Sequence, residues 1–162
     1  MRVLCCLDGT NSEPLSHAAA LFAGSGAPTY GLLYVIDTEP RKELERVRER
    51  HLRHPSGPLA PRQQQMRQAE QSSALDILTE GLRFLPDAET IQRAGRPERE
   101  IVNCAAEWRA GVILLLPRAD YGAKPEIGPR SVGHVARFVL DHAPCPVFLV
   151  RPLAYDQFPL RR

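Results

Sequence analysis

The sequence contains no long hydrophobic run, no excess of one charge and no cysteine pair at a metal-binding spacing. Without about 20 consecutive apolar residues it offers no candidate membrane-spanning helix. Lysine and arginine number 21 and the acids 19, which leaves a formal net charge of +2. This balance indicates neither a nucleic-acid nor a membrane partner, and we expect neither. Residues 1–9 predict a strand and not a signal peptide, because no small-residue cleavage site follows an apolar core.

The four cysteines are Cys5, Cys6, Cys104 and Cys145, and none belongs to a Cys-x-x-Cys pair. We therefore predict no metal site and interpret all four as buried small hydrophobic residues in a reducing cytoplasm. Cys5 and Cys6 are neighbours on a predicted strand, so their side chains should point to opposite faces of a sheet.

The most informative stretch, residues 112–151, predicts a strand, a loop, a helix and a second strand. The first strand, Val112 to Leu116, is apolar throughout, which is typical of a parallel strand covered on both faces. The second is Val147 to Val150. A strand–helix–strand unit of this length is a right-handed parallel crossover. The predicted helix carries one apolar stripe, formed by Val132, Val135, Ala136, Val139 and Leu140.

The loop at residues 117–128 is longer than the connections usual in compact domains. It leaves the carboxyl end of a parallel strand, the edge at which ligands bind to open α/β sheets. Gly128-Pro129 is typical of a helix start with Pro129 at the first helical position. The N–H groups of residues 130–132 would then form an anion site. An ordinary capped helix after a surface loop explains the same residues.

The remainder of the chain alternates strands with helices. We predict strands at residues 2–7, 31–36 and 89–94, and helices that begin at an N-cap at Ser12, at Arg62 and at Pro97. Five strands alternating with helices predict one α/β domain, an open parallel five-stranded sheet with helices on both faces.

An insert at residues 38–61 interrupts this rhythm. Residues 41–53 form a highly charged helical candidate with a thin apolar stripe, and a proline-rich loop follows. A basic lid or partner-binding arm is one interpretation. The other is a helix that simply faces water, as charge runs usually do.

Four segments together resemble the universal stress protein family: VLCCLDGT, GRPEREIV, GVILLLP and GPRSVGHVARFVLDHAPCPVFLVRP. The resemblance covers a domain of residues 1–152, apart from the insert, and leaves residues 153–162 as a tail. It implies a Rossmann-like sheet with strand order 3-2-1-4-5. It also implies a cytoplasmic stress-response or regulatory protein that binds ATP or AMP, with Mg²⁺ as a candidate companion, between strands one and four.

The family's binding positions transfer to individual residues of this sequence. Asp8 matches an acidic residue that touches the adenosine, Gly9 and Thr10 the turn beside it, and Val35 a position whose backbone meets the adenine edge. A carboxylate there can accept from a ribose hydroxyl, although an Asx turn that needs no ligand also explains Asp8. The full predicted nucleotide-binding set is Asp8, Gly9, Thr10, Val35, Leu116, Pro117, Gly122, Gly128, Arg130, Ser131, Gly133 and His134.

The phosphate end departs from the family's glycine pattern. Pro117 stands where the first glycine is expected and removes an N–H donor. Ten residues separate Gly122 from Gly133 where binding members have nine, and His134 replaces a serine or threonine. Arg130 would supply a substitute phosphate cation. His134 is either a phosphate or acid–base contact or an ordinary first-turn residue at the solvent edge.

Family members pair the edge of the last strand with its mate across a two-fold axis. We therefore predict a homodimer through Val147, Phe148, Leu149 and Val150. The altered phosphate loop keeps an alternative open, a dimeric interaction module that binds no nucleotide. No Ser-His-Asp or paired-carboxylate arrangement follows from the spacing, so we predict no enzyme beyond, at most, a slow ATPase.

Overall fold

The computed structural model describes residues 1–40, 43, 46, 60–117 and 131–151. A short 3₁₀ turn, Ala23–Ser25, follows the first helix. The main elements are β1 (Arg2–Leu7), α1 (Ser12–Ala20), β2 (Thr29–Asp37), α2 (Ala60–Phe84), β3 (Glu89–Gly95), α3 (Pro97–Glu107), β4 (Val112–Leu115), α4 (His134–His142) and β5 (Val147–Leu149).

The strands form one parallel sheet in the order β3-β2-β1-β4-β5, which confirms the predicted fold class and strand order. From β1 the chain winds outward through β2 to β3, then returns to the other side of β1 for β4 and β5. The connections leaving β1 and β4 therefore diverge at the carboxyl edge of the sheet. A crevice forms at such a reversal, and this one lies between neighbouring strand ends.

Hydrophobic cores lie on both faces of the sheet. One contains Cys6 with residues of α3 and α4, and the other contains Cys5 with residues of α1 and α2. The opposite placement of the two adjacent thiols is thus confirmed. All four cysteines are free; Cys5, Cys6 and Cys104 are buried as predicted, whereas Cys145 is only half-buried.

The predicted start of α4 is wrong. Ser131 and Val132 lie in a turn, and the helix begins at His134 with Gly133 as its N-cap. Gly133 has a φ of 77°, a left-handed conformation that interrupts helical backbone and that glycine adopts without steric cost. The carbonyl of Gly133 accepts a hydrogen bond from the N–H of Arg137 at 3.2 Å, so helical bonding starts there. Pro129 lies outside the described residues.

Other boundaries differ by a residue or two. The strands β4 and β5 end at Leu115 and Leu149, each one residue earlier than predicted, and α2 begins at Ala60. The N-cap of α1 is Asn11 and not Ser12, which is the first helical residue; the Asn11 side chain makes no capping bond and serves the preceding turn instead. Most of the insert lies outside the described residues, so the two interpretations of residues 41–53 stay predictions.

Candidate functional site

A cavity of about 570 Å³ opens at the crevice between β1 and β4. Its walls are the carboxyl ends of β1, β2 and β4 and the first turns of α3 and α4. The volume lies within the range of small-molecule sites in proteins, about 300–1,000 Å³. Its apolar surface includes Cys6, Leu33, Val35, Ile101 and Leu115.

The turn from β1 to α1 presents a carboxylate to this cavity. One oxygen of Asp8, Oδ1, accepts hydrogen bonds from the Thr10 N–H at 2.8 Å and the Thr10 hydroxyl at 2.9 Å. This is the Asx turn that the sequence allowed. Within the described part of the chain, Oδ2 of Asp8 has no protein partner and can still accept a bond from a ligand. The turn and a binding role are therefore compatible.

Asn11 holds this turn in place, a role that sequence analysis missed. Its side chain is 3% exposed. Its Nδ2 donates to the Cys6 carbonyl at 3.0 Å, and its Oδ1 accepts from the Asp8 N–H at 3.0 Å. A polar residue at a helix N-cap position was the available signal, but it suggested a cap for α1. The structure uses the amide to tie the end of β1 to the Asp8 turn.

The strand β2 contributes Tyr34 and Val35 to the lining. The ladder between β1 and β2 ends at the pair Leu7–Tyr34, whereas Val35 continues to pair with Arg93 of β3. The β2 edge beyond Tyr34 is thus free of β1 and faces the crevice. Burial, and secondly the negative charge of Asp8, raises the pKa of Tyr34, so its hydroxyl remains protonated and able to donate.

The other end of the cavity is formed by the first turns of α3 and α4. Gly133 and His134 line it from α4 and Pro97 from α3. The His134 side chain is 80% exposed, and its Nε2 lies 3.9 Å from Oε1 of Glu98, whose side chain is 13% exposed. His134 therefore matches the solvent-edge interpretation in its exposure, yet it stands at the mouth of the cavity.

The predicted site residues divide into three groups. Those that line the cavity are Asp8, Thr10, Val35, Leu116, Gly133 and His134. Those that are described but do not line it are Gly9, Pro117 and Ser131. The remaining three, Gly122, Gly128 and Arg130, lie outside the described residues, and so does the predicted phosphate contact of Arg130.

The helix α3 also contributes to the cavity, which was not predicted from the sequence. Pro97 and Ile101 line the cavity from the helix that follows β3, a strand that is two positions away from β1 in the sheet. The spacing of Pro97 and Ile101, one helical turn apart, places them on the same helix face. This spacing predicts a buried helix face, but it does not predict that the face borders a cavity.

The family model of the universal stress protein family matches residues 1–151. The chain belongs to this family. This confirms the resemblance carried by the opening strand and by the HAPCPVFLVR segment. A comparison with curated proteins found no significant match.

Solved structures of the family share the fold. Universal stress protein UspA from Lactobacillus plantarum is 22% identical, with a TM-score of 0.67 and coverage of 93% of this chain and 97% of that one. A universal stress protein in complex with cAMP is 19% identical, with a TM-score of 0.57 and coverage of 93% and 96%. A family member from Arabidopsis thaliana with AMP bound is 16% identical, with a TM-score of 0.55 and coverage of 99% and 96%.

Two features are absent from the part of the chain that the structure describes. No helix there is both long and apolar enough to cross a membrane. No group of three or more histidine, cysteine or acidic side chains in the same residues is arranged to hold a metal ion.

Proposed function

We propose that this universal stress protein binds an adenine nucleotide, AMP or ATP, in the cavity at the β1–β4 crevice. The observation that carries the proposal is the Asp8 carboxylate, which lines the cavity and uses only one of its two oxygens for its own turn. A carboxylate oxygen is an acceptor suited to a ribose hydroxyl. The family members with bound AMP and cAMP support the same ligand class.

The adenine would lie against the β2 edge beyond Tyr34. There the backbone has left the β1 ladder, so that its N–H and C=O groups can pair with a purine edge. The apolar side chains of Cys6, Leu33 and Ile101 would cover the ring faces. Val35 would contact the base through its backbone, as the family resemblance implies.

The phosphate would lie at the start of α4. The first N–H groups of a helix have no intrahelical partner and favour an anion, and the N-cap of α4, Gly133, carries no side chain beside them. Pro117, which follows the end of β4, has no N–H to offer a phosphate. ATP, with or without Mg²⁺, remains a candidate beside AMP, and a regulatory or stress-response role in the cytoplasm is the proposed setting. The four free cysteines fit a reducing compartment.

Titration of adenosine against the Asp8→Asn variant tests the site directly. Asparagine preserves the Asx turn but replaces the ligand-facing oxygen with an amide that cannot accept a bond. Since a hydrogen bond to a charged group contributes about 1.5–3 kcal/mol, the affinity for adenosine should fall by roughly tenfold or more. Adenosine is preferable to AMP here because it carries no phosphate whose repulsion by Asp8 would change as well.

Asp141→Asn is the matched control, because it makes the same change on an exposed residue of the last turn of α4. It should leave adenosine affinity unchanged. In wild type, 2′- and 3′-deoxyadenosine should show which ribose hydroxyl Asp8 accepts from. If neither adenosine nor AMP nor ATP binds wild type in isothermal titration calorimetry, the nucleotide proposal is wrong and the alternative, an interaction module without a nucleotide, takes its place.

The domain is proposed to act as a homodimer through β5, with residues 1–152 as the dimerising domain and 153–162 as a tail. Pro146 and Val150 bond to β4, at 2.9 Å each, so strand alternation directs the backbone groups of Val147 and Leu149 away from β4. Phe148 is 38% exposed and meets Phe22 edge to face. An apolar edge of this kind, unpaired among the described residues, favours pairing with a second copy.

Light scattering tests this contact. Wild type should have twice the 18.1 kDa mass of one chain, and Phe148→Lys should shift it towards one chain, since lysine at a strand edge opposes pairing. Phe84→Lys is the control, a similarly exposed phenylalanine (40%) at the end of α2. A wild type with the mass of a single chain at micromolar concentration would remove the dimer from the proposal.

A further inference from the structure

We propose that Glu98 sets the charge preference of this cavity, lowering its affinity for a ligand in proportion to the negative charge the ligand brings to the start of α4. The inference rests on the proposed nucleotide site and extends it to the choice among adenosine, AMP and ATP. The family resemblance assigns no role to this position.

Glu98 lies in the first turn of α3, and the start of α4 lies close to it at the mouth of the cavity. Pro97 occupies the first turn of α3 and lines the cavity, and Glu98 follows it directly. From there its carboxylate reaches His134, the first residue of α4, at 3.9 Å. A ligand phosphate held by the first N–H groups of α4 would therefore lie on the same side of the cavity mouth as the Glu98 carboxylate, close enough for charge repulsion in a partly buried setting.

Among the described residues two neighbours offset this charge only partly: His134, and Arg96, whose pKa is raised first by Glu39 and to a lesser extent by Glu98. His134 is the one ion-pair partner of Glu98 in that part of the chain, it is charged only when protonated, and 3.9 Å is a loose contact. Arg96, at the N-cap of α3, donates to Oε2 of Glu39 at 3.0 Å instead. The 13% exposure of the Glu98 side chain limits solvent screening, so its repulsion acts over several ångströms.

The test compares Glu98→Gln with wild type in calorimetric titrations of adenosine, AMP and ATP without Mg²⁺, at about pH 8, above the range in which histidine usually titrates. Glutamine keeps the shape and removes the charge. The affinity should rise about tenfold for ATP, about threefold for AMP, and not at all for adenosine. The gain for ATP should shrink at high salt, because the Debye length falls to about 3 Å at 1 M.

Glu100→Gln is the matched control. It removes the same charge from the same helical turn, but the Glu100 carboxylate packs over Gly95 at the end of β3. Its effect on ATP should be less than half that of Glu98→Gln. Equal effects of the two variants, or a change in adenosine affinity as large as that for ATP, would overturn the inference.

The outcomes also separate this inference from the function it rests on. If wild type binds adenosine and Glu98→Gln leaves the ratio of ATP to adenosine affinity unchanged, the charge preference is wrong and the nucleotide site stands. If none of the three compounds binds either protein, both are wrong. Near-ultraviolet circular dichroism and the unfolding midpoint establish that each variant is folded before it is titrated.

Discussion

Replacement of Asn11 by alanine should destabilise the protein more than any other single truncation of a polar side chain in the β1–α1 turn. The amide makes two hydrogen bonds, one to the Cys6 carbonyl and one from the Asp8 N–H, both at 3.0 Å. Alanine removes both and leaves no atom that can replace them. The carbonyl at the end of β1 and the N–H of the Asp8 turn would then be left without their protein partners.

The magnitude follows from the burial of each group. A buried polar group that loses its partner costs about 1–3 kcal/mol. Loss of the buried bond to the Cys6 carbonyl should cost an amount near the upper end of that range. The Asp8 N–H is only partly buried, so water can replace the Asn11 amide there and the loss of that bond should cost less. The sum is about 2–3 kcal/mol in the free energy of unfolding. For a domain of this size that lowers the melting temperature by roughly 5–10 °C.

Two further variants make the test specific. Asn11→Asp retains an acceptor for the Asp8 N–H but points an oxygen at the Cys6 carbonyl and buries a charge, so at pH 7 it should be less stable than Asn11→Ala. Asn103→Ala, on the exposed face of α3, should change stability by less than about 0.5 kcal/mol.

Urea unfolding followed by the fluorescence of the single tryptophan, Trp108, measures all three. If Asn11→Ala lies within about 0.5 kcal/mol of wild type, or if Asn11→Asp is the more stable of the two, the hydrogen bonds inferred for Asn11 do not exist in solution.

Three other outcomes follow from close contacts and buried thiols. Gly31→Ala would place a Cβ 2.9 Å from Trp108 Cζ2, so it should lower the urea midpoint by the equivalent of about 1–3 kcal/mol, and an unchanged midpoint would contradict this packing. Gly9→Ala should cost about 1–2 kcal/mol by the same assay, because Gly9 has a φ of 94° and its Cβ would lie 3.2 Å from Ile77. Burial raises the pKa of Cys5 from 9.0 to about 12. Between these two values the folded state keeps a proton that the unfolded state loses. The contribution of the Cys5 thiol to the free energy of unfolding should therefore be complete below pH 9 and decrease as the pH rises from 9 towards 12. Urea midpoints measured across that window should fall less steeply for Cys5→Ala than for wild type.

The elements of the fold were predictable because burial leaves a local pattern. The uninterrupted apolar runs of β1 and β4 indicated strands covered on both faces, and the burial of Val112–Leu115 agrees. The position of Pro97 marked the start of α3 within a residue. Boundaries that depend on one backbone conformation were not predictable in this way. The α4 start was placed too early, because Gly128-Pro129 and Gly133 both carry helix-start signals and only the positive φ of Gly133 selects between them.

The sequence by itself determined that the chain is a parallel α/β domain of the universal stress protein family, since periodicity and short motifs are properties of neighbouring residues. It also placed Asp8 and Val35 at strand ends, where a crevice was expected. The tertiary structure alone decided which side chains meet there. Asn11 is tied to the Cys6 carbonyl, and Glu98 lies beside His134 from a different helix. Contacts between elements depend on the angles and distances at which helices and strands pack, and no local pattern records those.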